Sequence, residues 1–312
     1  MRTSSCAWSA ALLWFIAIAQ ARAQDARGYA LNIFDAAPRG SEWFAGDSLD
    51  LRGHKRVSAG LTSDWAYRPL LIERSDGKRA RALVRNQVLL QPGVSVVLWE
   101  RLRLALDVPL LLYTDGNTLS SKGVRYAAPE QKVSLGDVRV GAVVRLFGAY
   151  GEVISGALGL QVVMPTGNRD AYVGDASVRV SPHLLIAGDF AGYTYSAKMG
   201  AAIRSSEHEL LGMHMGSFAY FALAMGVRTF DGRLVLGPEL YGQTLLSDGQ
   251  FFKRRATPCE ALLGLHYSLD SGWRLGAAIG FGVSTGLGAP EQRGLLSLEW
   301  NAPHNIRMRN KL

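Results

Sequence analysis

From Leu102 to Val108, hydrophobic and polar positions alternate without a break. Leu102, Leu104, Leu106 and Val108 share one side of an extended chain, and Arg103, Ala105 and Asp107 share the other. A period of two predicts a β-strand with two unlike faces. The pattern recurs and predicts twelve strands, over residues 54–67, 83–98, 102–113, 135–147, 152–164, 177–186, 191–204, 211–229, 233–246, 258–269, 273–283 and 292–300. Most reach the ~9–11 residues with which a tilted strand crosses a bilayer.

The intervening connections alternate in length. Residues 68–82, 114–134, 165–176, 205–210, 247–257 and 284–291 are long and polar, whereas 99–101, 148–151, 187–190, 230–232 and 270–272 are short. Phe230-Asp231-Gly232 and Asp270-Ser271-Gly272 offer glycine where a tight hairpin uses positive φ. Even strand number with alternating connections is the arrangement of an outer-membrane barrel, long loops outside and short turns in the periplasm. A Greek-key sandwich has no need of it.

The faces agree. Val140, Val144, Leu146, Leu158, Leu160, Tyr193, Met199, Ile203, Met213, Met215, Leu223, Leu275 and Ile279 share the outward parity, and aromatic residues such as Trp65, Trp99, Tyr113, Trp273 and Trp300 sit near strand ends as in an interfacial girdle. Charged residues take the opposite parity. Closure of the sheet would satisfy every backbone group in lipid, which an open sheet cannot do. The expected fold is all-β: an up-and-down antiparallel transmembrane β-barrel of about 12 strands over residues 51–300. Pro92, Pro109, Pro182 and Pro238 fall inside strand segments and are expected at bulges or bends.

The first residues add export. Arg2, the apolar run Ala7–Ala19 and Ala21-Arg22-Ala23 have the layout of a signal peptide ending at Ala23. Of 312 residues, removal of 23 leaves 289 with one cysteine, Cys259, so the exported chain has no internal disulfide to stabilise it. The net charge falls from +8 to +6, because Arg2 and Arg22 leave. No nucleic-acid-binding module is expected, and no cofactor. Residues 24–50 are expected on the periplasmic side as a tether or a plug, and residues 301–312 as a periplasmic tail.

The stretches FDAAPRGSEWFAGDSLDLRGH (34–54), DWAYRPLLI (64–72), VVLWERLRLALDVPLLLY (96–113) and LGDVRVGA (135–142) resemble outer-membrane barrels of the OmpA-family type found in myxobacteria and related delta-proteobacteria. MPTGN (164–168) and YVGD (172–175) are similar to transporter barrels of the phenol meta-pathway type. The first resemblance implies a barrel commonly followed by a peptidoglycan-binding domain; the ending EWNAPHNIRMRNKL leads to the expectation that none follows here. Trp300 resembles the terminal aromatic residue read by the barrel-assembly machinery. The expected partners are that machinery, outer-membrane lipids and small anionic solutes.

Inward-facing charge carries the functional expectation. The lumen is expected to be lined by Arg103, Asp107, Asp137, Arg139, Arg145, Arg179, Lys198, Arg228, Arg233, Glu239, Glu260 and Arg274. Counting Arg56, Arg85, Arg204 and Arg293 with Asp64 and Glu299, the inward parity holds twelve basic residues against six acidic ones. Two readings stay open: a channel that favours anions, or a barrel filled by its own ion pairs. Catalysis is not expected. A different reading takes His266 and Ser268 as base and nucleophile of an outer-membrane phospholipase-type hydrolase, and a third takes the chain as a secreted soluble β-protein. The remaining histidines show no metal-ligand spacing.

Overall fold

The computed structural model describes residues 29–303 except 73–80, 122–123, 176, 207, 211–212, 248 and 285. The expected signal peptide and most of the expected tail lie outside the described residues. Twelve long strands form the wall: β1 Arg56–Ile72, β2 Arg81–Leu98, β3 Leu102–Asp107, β4 Val138–Phe147, β5 Ser155–Met164, β6 Arg179–Phe190, β7 Tyr193–Arg204, β8 Phe218–Thr229, β9 Leu234–Leu245, β10 Cys259–Ser268, β11 Trp273–Ser284 and β12 Gln292–Asn301. Each pairs antiparallel with its neighbours in sequence, and β1 closes the ring by pairing with both β2 and β12. Leu61 faces Pro92 on one side and Leu298 on the other. Closure leaves the wall no free edge for lipid to meet.

The prolines mark lapses in the ladder. The third predicted strand is broken at Val108-Pro109 and resumes as Leu110–Gly116, still paired with β2. Pro92 sits where β2 passes from β3 to that second piece. Pro182 keeps its pairing with β5 where the β6–β7 register skips Ser181 and Pro182, and Pro238 keeps its pairing with β10 where β8–β9 skips it. At Pro182 and Pro238 the missing N–H therefore falls where pairing to one neighbour lapses without a change of register.

The short turns stand almost where expected. Trp99-Glu100 and Ala191-Gly192 take φ of 52° and 56°, and of 51° and 83°, the positive pair that a two-residue hairpin turn requires. The turn expected at 187–190 moves to 191–192, because Gly188 and Asp189 remain in the ladder opposite Tyr195 and Thr194.

The lipid-facing parity holds around the wall. Leu104, Leu106, Val140, Leu158, Leu160, Leu184, Met199, Leu223, Leu263, Ile279 and Leu296 are all exposed, while Arg103 beside them is fully buried. Met215 departs from it. It is buried near the end of β7, because the break at Gly216-Ser217 resets the parity before β8 begins.

An arginine at Leu160, which lies in the middle of β5 between Ala142 and Pro182, is expected to cost about 2–4 kcal/mol of barrel stability near the bilayer midplane, and alanine there very little. Folding into lipid vesicles, read by heat-modifiable gel migration, checks this. Equal yields for both variants would show that Leu160 does not meet lipid. Gly159 on the inward parity is no tolerant control, because an added Cβ would lie 2.0 Å from Nε2 of His183.

Candidate functional site: the occupied lumen

Residues 29–55 form no strand or helix, yet most of them are buried. They run through the barrel from its long-loop end to its short-turn end. Tyr29 and Leu31 pack with Leu70, Leu83, Phe218 and Leu245 at the first end. Phe34, Phe44 and Ala45 meet Tyr241, Leu262 and Leu295 in the middle. Leu49 closes on Val143, Ala157, Leu185 and Ala187 near the short turns. Of the two forms open for residues 24–50, their described part is a plug in the lumen rather than a tether beneath it.

A buried chain without regular structure must find partners for its backbone, and the wall supplies them. Glu239 on β9 accepts hydrogen bonds from the N–H groups of Phe44, Ala45 and Gly46 at 2.8, 2.8 and 3.0 Å. Arg274 on β11 donates to the carbonyls of Ser41 and Gly40 at 2.5 and 3.3 Å. Ser196 on β7 accepts from Asp47 N–H at 2.9 Å.

Charge does the rest. The plug carries Asp35, Glu42, Asp47 and Asp50, and each finds a wall cation. Asp35 lies 2.7 Å from Nη1 of Arg139 and 3.5 Å from Nζ of Lys198. Glu42 takes both guanidinium nitrogens of Arg228 at 2.8 Å and the Tyr150 hydroxyl. Asp47 pairs with the fully buried Arg103, and Asp50 with Arg56 at 2.9 Å. Arg39 reverses the arrangement: it donates to Thr62 Oγ1 at 2.6 Å and approaches Glu299 and Asp107 at 3.2 and 3.4 Å.

The expected lumen residues thus divide. Arg103, Asp107, Arg139, Lys198, Arg228, Glu239 and Arg274 are brought together around the plug, and Glu260 pairs with Arg293 beside it at 2.7 Å. Arg179 lies toward the long-loop end, 3.8 Å from Asp175. Asp137 lies just before β4 and accepts from the N–H groups of Gly167 and Asp175, clamping a loop rather than lining the strands. Arg145 is half-buried near the turn end of β4. Arg233 is outside the lumen: β9 begins one residue later, and Arg233 pairs with Asp270 on the surface at 2.9 Å. Arg85 also points outward, at the register shift between Val84 and Asn86.

No family model matches the chain, and no curated protein matches it in sequence. Among solved structures, an outer membrane channel from Pseudomonas putida F1 superposes with a TM-score of 0.56 at 13% identity, over 86% of this chain and 100% of that one. What the two share is the fold, a closed antiparallel β-barrel. The NanC porin superposes with a TM-score of 0.46 at 8% identity, over 77% of this chain and 97% of that one.

The hydrolase reading requires a hydrogen bond that the barrel does not make. His266 is buried against the ring of Phe44, with centroids 4.4 Å apart, and neither of its ring nitrogens has a hydrogen-bond partner among the described residues. Ser268 is therefore not activated by it.

Burial works against the charge of Asp35, Glu42 and Asp50. The pairing of Asp35 with Lys198 and Arg139, of Glu42 with Arg228, and of Asp50 with Arg52 and Arg56 compensates for it. Docking that rests on such pairs is present while the carboxylates are ionised and is lost as they take up protons. The plug is expected to stay seated from pH 7 to pH 5 and to loosen in acid, below the ordinary carboxylate value of about 4. Protease access to residues 29–55 across a pH series checks this; release between pH 7 and 5 would contradict it.

Proposed function

We propose that the protein resides in the outer membrane and acts as a passive channel for small solutes, held nearly closed by its own N-terminal segment. One observation supports this above others. The plug fills the lumen but leaves a cavity beside Asp35, and one side of that cavity, formed by Arg139, Gln161, Arg179, Ser181 and Lys198, is polar and basic. Such a lining favours anions. Signal-directed export, short turns facing the periplasm and insertion by the barrel-assembly machinery belong to the same proposal. So does affiliation with OmpA-type barrels, which rests on the stretches 34–54 and 96–113.

Planar-bilayer recording from the refolded full chain tests it. Small discrete current steps are expected, with a reversal potential of anion-selective sign in a potassium chloride gradient, and more clearly so at low salt, where the Debye length exceeds about 10 Å. Absence of current, together with no solute entry into proteoliposomes, would leave a purely structural envelope role.

A further inference from the structure

The four plug carboxylates are not equivalent. Glu42, Asp47 and Asp50 keep 11%, 3% and 6% of their side-chain surface exposed, whereas Asp35 keeps 35%. Asp35 borders a cavity of about 90 Å³ with two unlike sides. One side is basic: Arg139 and Lys198 both reach the Asp35 carboxylate, and Nε of Arg139 has no hydrogen-bond partner among the described residues. The other is aromatic: Phe34 and Tyr241 have ring centroids 5.8 Å apart, and the Tyr220 ring lies 5.9 Å from Nζ of Lys198.

We propose that Arg139 and Lys198 form a binding site for a small carboxylate with an aromatic body, and that Asp35 is a tethered competitor occupying it. Exchange of one carboxylate for another leaves neither cation uncompensated in a poorly hydrated lumen. The ring of the solute would lie against Tyr220, which lines the cavity and is only partly buried. Asp35 suits displacement because its contact with Lys198, at 3.5 Å, is loose and its carboxylate already touches solvent. The site names a solute class for the proposed channel and rests on that reading only for its consequence in transport, since binding is measured separately.

Calorimetric titration of the detergent-refolded full chain with benzoate is the test. Saturable binding is expected. Asp35→Asn should tighten it about tenfold, because an internal competitor reduces the apparent affinity by the fraction of sites it occupies. Lys198→Met should weaken it about tenfold, the loss of one charge-assisted contact; Arg139→Gln serves if that variant fails the heat-modifiability check for folding. Benzyl alcohol, the uncharged relative, should not bind, and inorganic phosphate should bind more weakly than benzoate. No tightening in Asp35→Asn, or equal binding of benzyl alcohol, overturns the site. Benzoate binding in a protein that carries no current would uphold the site and reject the channel; current without benzoate binding would do the reverse.

Discussion

Deletion of residues 29–52 is expected to turn a nearly closed barrel into an open, anion-selective pore. The wall can survive the loss, because β1 begins at Arg56 and the ladders that close the ring involve none of the deleted residues. Twelve strands enclose more than the side-chain-filled interior of an eight-stranded barrel, so conductance should rise by about an order of magnitude once the plug is gone. The selectivity follows from the charges left behind. Arg56, Arg103, Arg139, Arg179, Lys198, Arg204, Arg228, Arg274 and Arg293 remain, against Asp64, Asp107, Glu239, Glu260 and Glu299. Four carboxylates and two arginines depart with the plug, so the interior becomes more positive. Water then enters, and low-dielectric walls focus that field on entering ions. Single-channel recording at matched salt checks both parts. An unchanged conductance in a variant that still shows heat-modifiable migration would mean that the plug is not what limits flow.

The wall was legible in the sequence because period-two patterning survives wherever one face meets lipid. The exceptions are local events that parity cannot foresee. Arg233 falls one residue outside β9, Arg85 sits on a register shift, and Met215 precedes a break that resets the count. The plug was harder to read, since residues 29–55 have neither a period of two nor of 3.6 and owe their order entirely to the wall. A physical signal was nevertheless present. An enclosed lumen does not tolerate twelve inward basic residues against six acidic ones without compensation. The missing carboxylates had to come from elsewhere in the chain, and Asp35, Glu42, Asp47 and Asp50 cluster in the unassigned segment 24–50. The same count that suits an anion-favouring channel or a barrel filled by ion pairs also describes a binding surface for the preceding residues.

The largest effect on stability is expected at the seam where the first and last strands meet. Arg293 on β12 is fully buried. Its Nε and Nη2 reach Glu260 on β10 at 2.7 and 3.0 Å, its Nη1 donates to Asp64 on β1, and its Nη2 also donates to Asn32 of the plug at 3.0 Å. The Tyr241 hydroxyl completes the shell of Glu260 at 2.8 Å. The group ties β1, β10 and β12 to one another and to the plug, so it fixes the closing register as well as adding attraction. In Arg293→Met two carboxylates stay buried with no cation between them, and the expected loss is about 3–5 kcal/mol. Replacing the whole group, as Arg293→Met with Asp64→Leu and Glu260→Leu, should recover most of that loss, because desolvation of the charges disappears with them. Urea unfolding of the refolded barrel in lipid vesicles measures both variants. A loss below about 1 kcal/mol in Arg293→Met, the scale of an exposed ion pair, would show that water reaches this seam and that the lumen is more open than its packing indicates.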